Sequence, residues 1–112
     1  MNDNPNFLKL INPATDLIAA VRAGMTLEIE LDENPTTGYL WSINRLPPEL
    51  KLLSNIFESS GPGVGAGGRR HFTFIVNGEP ITPVIFELKR RLKDLVIKIV
   101  IIEFCRFKTP SI

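Results

Sequence analysis

Apolar and polar residues alternate along much of this chain, which is the pattern of strands that bury one face. Residues 26–31 show it most clearly, because the odd positions are leucine or isoleucine and the even positions are threonine or glutamate. We expect the odd side to be buried, and we expect Glu28 and Glu30 on the even side to face water.

The same period predicts further strands along the chain. Residues 15–22 are ambiguous, since Asn12, Pro13 and Gly24 would suit the two ends of a short helix, whereas Leu17 and Val21 fit an alternating strand. We expect a strand there because its surroundings are strands. The remaining predicted strands cover residues 7–11, 39–43, 52–57, 70–76, 84–89 and 95–107.

About seven strands with turn signals every 8–12 residues or so are typical of an immunoglobulin-like antiparallel β-sandwich, so we predict an all-β fold. The length of 112 residues fits a single domain over residues 1–112. Apolar residues make up 44% and charged residues 22%, which is the balance of a globular protein.

Charge and hydropathy exclude several kinds of partner. A net charge of +1 gives no overall attraction to nucleic acid or to an anionic membrane. The longest apolar run, residues 95–102, contains Lys98 and is too short to cross a bilayer. No secretory signal is visible at residues 1–5, which favours the cytoplasm, and we expect a monomer.

Catalytic chemistry is also unsupported. Residues 63–68 read G-x-G-x-x-G, but they lead into alternating β-branched and aromatic residues rather than into the helix that a dinucleotide site needs. His71 is the single histidine, and Cys105 is the single cysteine, in an apolar strand. We therefore expect no enzyme activity, no metal site and no cofactor, with Cys105 as a small inert apolar residue.

One loop stands out, Asn34-Pro35-Thr36-Thr37-Gly38-Tyr39, between the alternating run and Trp41. Pro35 fixes its own φ and biases Asn34 towards extended backbone, and Gly38 can adopt a positive φ without strain. We expect a stiff, sharply turning loop. By itself such a motif is also compatible with an ordinary connection between strands.

Two basic groups are further candidates, Arg69-Arg70 after the glycine-rich stretch and Lys89-Arg90-Arg91 in the last turn. If the fold brings both to the loop at Thr36 and Thr37, they form a positive rim around it. Such a rim would bind anions, and it would make association with an acidic partner depend on salt.

The motifs together resemble the chagasin-type (chagasin/amoebiasin) inhibitors of papain-like cysteine peptidases. The first motif, residues 34–39, matches in full, and Gly65-Ala66-Gly67-Gly68 matches the second as G-x-G-G. The third motif departs from the family pattern of Arg-Pro-aromatic, since this chain has Arg90-Arg91-Leu92. The resemblance covers residues 17–107.

The resemblance implies a reversible inhibitor of cathepsin L or B type peptidases. Three loops at one end of the sandwich would plug the active-site cleft, with Thr36, Thr37 and Gly38 entering it and the second and third motifs flanking it. The altered third motif leaves open a second hypothesis, a β-sandwich adhesion or protein-binding module that does not inhibit. An anion-binding module that uses the basic groups is a third.

Overall fold

The computed structural model describes residues 6–62, 67–90 and 93–106. These residues form strands and one short 3-10 turn, and none of their helical segments is long and apolar enough to span a membrane. The strands are β1 (Phe7–Ile11), β2 (Leu17–Val21), β3 (Thr26–Glu33), β4 (Tyr39–Arg45), β5 (Leu50–Ser59), β6 (Gly68–Val76), β7 (Val84–Arg90) and β8 (Lys93–Arg106).

The strands make two four-stranded sheets that pack face to face, which confirms the predicted sandwich. One sheet has the order β1-β3-β6-β5 and the other β2-β8-β7-β4. Most neighbours are antiparallel, but β1 runs parallel to β3 and β2 runs parallel to β8. The described residues contain eight strands, which agrees with the predicted number of about seven, and each sheet ends in a parallel edge pair.

The ambiguous segment is the strand β2, as expected. Asn12 has a φ of 46° and Asp16 a φ of 65°, so the chain turns at both positions. A left-handed Asn12 cannot cap a helix, because an N-cap residue has extended backbone. Its side chain instead accepts a hydrogen bond from the backbone N–H of Asp32 at 2.8 Å, which ties this turn to β3.

The core between the sheets contains aromatic residues among a larger number of aliphatic ones. Phe72 and Phe74 of β6 face Phe86 of β7, with ring centroids 4.9 and 6.4 Å apart. All three side chains are fully buried, and Trp41 of β4 is 4% exposed, so the tryptophan belongs to the same core. Burial of side chains of this size supplies most of the driving force for such a fold.

The outer face of the β3 sheet is drier than the alternation predicted. Glu30 is only 3% exposed, so the expectation that it faces water is wrong. Lys9 reaches over it from β1, with its Nζ 2.7 Å from the Glu30 carboxylate, and Arg69 lies 3.5 Å away on the other side. Burial raises the pKa of the Glu30 carboxyl, but the Lys9 ammonium and the nearby His71 and Arg69 more than offset it, so that pKa lies below its ordinary value.

Candidate functional site

Strand register brings three connections to the same end of the sandwich. Glu33 at the end of β3 pairs with Gly68 at the start of β6, so the β3–β4 and β5–β6 connections are neighbours. Tyr39 at the start of β4 pairs with Arg90 at the end of β7, which places the β7–β8 connection beside the first. We call this end, formed by residues 34–38, 60–62, 67 and 90, the loop pole.

The first connection is stiffened by its own hydrogen bonds. Pro35–Thr37 form a 3-10 turn, and the Asn34 side chain accepts from the Thr36 backbone N–H at 3.1 Å and from the Thr36 hydroxyl at 2.6 Å. The Thr37 hydroxyl donates a hydrogen bond to the Asn34 carbonyl at 2.7 Å. The same hydroxyl oxygen accepts a hydrogen bond from the Tyr39 backbone N–H at 3.2 Å. The tip is solvent-exposed, and its threonine hydroxyls hold the turn together.

The backbone angles follow the sequence prediction. Asn34, ahead of the proline, is extended with φ −122° and ψ 100°, and Gly38 closes the turn in the left-handed region with φ 83°. The backbone N–H of Gly38 donates to the Pro35 carbonyl at 3.0 Å. The motif is therefore a tightly closed turn, as its proline and glycine indicated.

The third connection touches the first through Arg90. The Arg90 guanidinium lies over the ring of Tyr39, 4.9 Å from its centroid. A Cβ added to Gly38 would lie 3.8 Å from Arg90 Nε, which places the two in van der Waals range. Arg91 and Leu92, the rest of the predicted third motif, lie outside the described residues.

The second connection also touches the first. A Cβ on Gly67 would lie 3.4 Å from the Glu33 carbonyl oxygen and 3.8 Å from Asn34 Cβ. Ser60 holds Gly67 in place, since its backbone N–H and its hydroxyl both donate to the Gly67 carbonyl, at 3.0 and 2.6 Å. Gly65 and Ala66 lie outside the described residues, so only Gly67 and Gly68 of the predicted second motif are placed.

An ion pair supports the loop pole from below. Arg70 of β6 donates to both carboxylate oxygens of Glu33, at 2.8 and 2.9 Å, and the Glu33 side chain is fully buried. The same carboxylate accepts from the backbone N–H of Trp41 at 2.7 Å, while the Trp41 indole donates to the Asp32 carbonyl at 2.8 Å. The two sheets are thus joined by charge-assisted hydrogen bonds directly under the first connection.

Sequence reasoning missed this pair, although its signal is present. Glu33 has the odd parity of the buried side of β3, and Arg70 has the even parity of Phe72 and Phe74 in β6. Two opposite charges on inward-facing positions of adjacent strands indicate a buried ion pair, because an unpaired charge there would be too costly.

The prediction of a positive rim is wrong about its charge, because acidic residues pair with the arginines at 69 and 70. Arg69 and Arg70 do lie at this end of the sandwich, in β6 below the loop pole, but Arg70 is bound to Glu33 and Arg69 pairs with Asp32 at 3.2 Å. Lys89 lies 4.0 Å from Glu87. The acidic residues come from β3 and β7, so the local charge that the arginines suggest is largely neutralised. The structure therefore does not support strong attraction of an acidic partner by this rim.

Among the residues that the structure describes, the histidine and the cysteine do not form a nucleophilic site. His71 lies on the outer face of the β3 sheet, with its Nδ1 3.2 Å from Glu28 and 3.7 Å from Glu30. Cys105 belongs to β8 of the other sheet, and its side chain is exposed. Glu28, Glu30 and His71 have potential metal-ligand atoms within 4.8 Å of one another, a grouping the sequence did not predict. Lys9 and Arg69 already compensate the Glu30 carboxylate there.

Solved structures share this fold. The cysteine protease inhibitor EhICP2 from Entamoeba histolytica matches with a TM-score of 0.78 at 15% identity, covering 90% of this chain and 96% of that one. Amebosin in solution matches with a TM-score of 0.62 at 20% identity, covering 91% and 100%. PbICP-C, in its complex with falcipain-2, matches with a TM-score of 0.57 at 16% identity, covering 89% and 99%. At these identities the likeness concerns the fold.

Sequence comparison identifies the family. No curated protein matches the chain significantly in sequence. The model of the chagasin family of peptidase inhibitors, I42, matches residues 20–101, which include the first two motifs, Arg90 and seven of the eight described strands in whole or in part. Because this match spans most of its length, the chain belongs to the chagasin family of peptidase inhibitors.

Proposed function

We propose that this inhibitor acts on papain-like cysteine peptidases by placing the loop pole in their substrate cleft, with Thr36, Thr37 and Gly38 entering deepest. The observation that carries the proposal is the convergence of the three connections, which follows from the pairing of Glu33 with Gly68 and of Tyr39 with Arg90. Occupying a cleft requires no catalytic group from the inhibitor, in keeping with the membership of this chain in an inhibitor family.

A closed turn can occupy a protease cleft without being cleaved. Peptidases of this kind bind substrates as extended chains, whereas residues 35–37 form a 3-10 turn closed by the Gly38 to Pro35 hydrogen bond. The scissile carbonyl of a substrate must approach the catalytic thiolate in a near-attack geometry. The turned backbone of the first connection does not offer an extended peptide bond in that geometry.

Internal hydrogen bonds reduce the cost of binding. Loops that become ordered at an interface lose about 0.5–1.5 kcal/mol per immobilised side chain. Thr36 and Thr37 are already held by bonds to Asn34, so much of this cost is met when the protein folds. An interface of roughly 800 Å² on each partner is then enough for tight inhibition.

The flanking residues give the pole its width. Gly67 and Gly68 lie on one side of the first connection and Arg90 on the other, and we propose that both sides contact the cleft walls. Gly65, Ala66, Arg91 and Leu92 are assigned to the same contact on the strength of the family motifs alone. In the family motif an aromatic residue occupies the sequence position of Leu92 and would supply a larger rigid contact. We therefore expect the third motif of this chain to contribute less binding free energy.

Stoichiometric titration tests the proposal. Increasing amounts of the purified protein are added to active-site-titrated papain and cathepsin L, and we expect activity to fall linearly to zero near one inhibitor per enzyme. Thr37→Arg should raise the inhibition constant at least 100-fold, because a bulky charged side chain at the centre of the interface would reduce the binding free energy by more than about 2.7 kcal/mol.

Thr82→Arg is the matched control. Thr82 is exposed in the β6–β7 connection at the opposite end of the sandwich, so this variant should inhibit like the unmodified protein. Both variants should keep the melting temperature of the parent. No inhibition at micromolar concentration, or full inhibition by Thr37→Arg, would contradict the proposal. Comparing cathepsin B, whose cleft is partly occluded, with cathepsin L would measure the reach of the third connection.

A further inference from the structure

The edge strand β5 is long and has an open side. It has 10 residues, against 5 for β1, 5 for β2 and 7 for β4, the other strands at the sheet edges. Its inner neighbour is β6, and no described strand pairs with its other side, where alternate backbone N–H and C=O groups point out of the sheet. Leu53 and Ile56 are 54% and 55% exposed there. Such an edge can accept another strand.

Charges usually protect an edge of this kind, but here their positions are self-complementary. Lys51 lies near one end of β5 and Glu58 near the other, and both have partners on the outer face of β6, namely Ile75 and Arg69. Two antiparallel copies of the strand would bring each lysine to the glutamate of the other copy. Two parallel copies would instead place like charges together, which is unfavourable.

A β-bulge in β5 allows opposing side chains of two paired copies to lie on the same face of the sheet. The register of β5 on β6 shifts between Leu52 and Ser54, so Leu53 is an extra residue in the strand. With Leu53 left out of the count, Asn55 is the middle of the strand, and positions equally far from it share a face. The opposing pairs are then Lys51 with Glu58, Leu52 with Phe57 and Ser54 with Ile56.

We propose that β5 pairs with β5 of a second copy of this chain, antiparallel and about a two-fold axis at Asn55. The pairing joins the two β1-β3-β6-β5 sheets into one continuous sheet of eight strands. It satisfies the open backbone groups, covers Leu52 and Phe57 with each other on the inner face, and forms the Lys51–Glu58 ion pair twice.

The pairing leaves the loop pole free. The pole lies at the Ser59 end of β5, and the antiparallel arrangement puts the two poles at opposite ends of the joined sheet. The dimer would therefore hold two inhibitory ends that point away from each other. Inhibition and pairing are independent, so each can fail without the other. The protein would then be the expected monomer at low concentration and a dimer at higher concentration.

Charge reversal gives the first test. Sedimentation equilibrium at low salt should show a monomer–dimer equilibrium for the unmodified chain. Lys51→Glu and Glu58→Lys each replace two attractive pairs by two repulsive ones, and each should weaken the dimer about tenfold or more. The double variant restores opposite charges and should recover the dimer. Lys98→Glu, on the other sheet, makes the same change in net charge as Lys51→Glu and should have no effect.

Cysteine cross-linking gives the second test. Residues that face each other across an antiparallel pair have Cα atoms about 4.5–5.5 Å apart, which suits a disulfide. In a Cys105→Ser background, Asn55→Cys should form a disulfide-linked dimer under mild oxidation. Lys51→Cys should not, because its two copies would be about 20 Å apart.

Other results would overturn the proposal. A chain that remains monomeric at millimolar concentration, or a dimer that neither charge reversal weakens, would exclude this pairing. Equal cross-linking of Asn55→Cys and Lys51→Cys would show random collision. If the chain stays monomeric but an added extended peptide protects the β5 amides from hydrogen exchange, the edge accepts another kind of partner and the self-pairing is wrong.

Discussion

Arg70 and Glu33 form a two-pronged ion pair directly beneath the loop pole, with nitrogen–oxygen distances of 2.8 and 2.9 Å. Glu33 immediately precedes the first connection, and Arg70 is the third residue of β6, the strand that follows the second connection. Because the same carboxylate accepts the Trp41 N–H from the other sheet, one side chain fixes the relative position of three strands. Two of the three connections of the pole start or end on those strands.

Replacing Arg70 should therefore lower the free energy of unfolding more than replacing Arg69. In Arg70→Met the fully buried Glu33 carboxylate loses its counter-charge, and we expect the free energy of unfolding to fall by about 3–5 kcal/mol. Arg69→Met is the matched control. The Arg69 side chain is 44% exposed, so its ion pairs contribute about 0–1 kcal/mol. Urea unfolding followed by tryptophan fluorescence measures both.

A second variant separates the ion pair from general damage. Adding Glu33→Gln to Arg70→Met removes the unpaired charge, so the double variant should be more stable than Arg70→Met alone. Equal losses for Arg69→Met and Arg70→Met would show that the Glu33 pair has no special role. A double variant no more stable than Arg70→Met would lead to the same conclusion.

The sequence predicted the fold well because the sandwich depends on local alternation. The odd residues of β3 and the aromatic positions of β6 are buried as the period of two requires. It also predicted the angles of Asn34 and Gly38, since these follow from the neighbouring proline and from the missing Cβ.

What the sequence did not reveal depends on contacts between distant strands. Glu30 is buried because Lys9, 21 positions earlier, and Arg69, 39 positions later, close over it. The arginines at 69 and 70 are neutralised by acids of β3, and that outcome depends on the register of β6 against β3. Alternation shows which side of a strand a residue occupies, whereas register decides which charges meet there.

Gly38 should be required for inhibition as well as for stability. Its φ of 83° lies in the left-handed region, where a Cβ costs about 1–2 kcal/mol. Gly38→Ala should shift the first connection away from its closed turn and raise the inhibition constant for papain about tenfold. The measurement is the inhibition constant together with the melting temperature.

Gly24 provides the matched control for this substitution. It has a φ of 92° in the β2–β3 turn, at the other end of β3, and no heavy atom lies within 4 Å of an added Cβ. Gly24→Ala should lower the melting temperature about as much as Gly38→Ala but leave inhibition unchanged. If both variants inhibit like the parent, the conformation of Gly38 does not matter for the cleft contact.

Gly67, the last residue of the second connection, and Gly68, the first residue of β6, should respond very differently to alanine. A Cβ on Gly68 would lie 2.2 Å from the Glu58 carbonyl oxygen and 2.9 Å from Ser59 Cα, so the backbone of β5 would have to move. We expect Gly68→Ala to destabilise the fold by about 1–3 kcal/mol or more. At Gly67 the shortest distance is 3.4 Å, and Gly67→Ala should cost under about 1 kcal/mol. Comparable losses in urea unfolding would show that β5 does not approach Gly68 so closely.

Acid should destabilise this protein partly through Glu30. Its pKa is lower in the folded chain than its ordinary value of 4.5, because the ion pair with Lys9 outweighs the effect of burial. The stabilisation from the ionised carboxylate is therefore complete above that ordinary value and is lost as the pH falls through the lower folded pKa. In Lys9→Met burial acts with less opposition, so the pKa of Glu30 should rise and the loss should begin at higher pH. The measurements are a carboxyl-carbon NMR titration of Glu30 and the free energy of unfolding from pH 3 to 7. Lys98→Met is the control, and in this variant Glu30 should titrate as it does in the parent. An unchanged Glu30 titration in Lys9→Met would mean that Lys9 does not set the charge of the buried carboxylate.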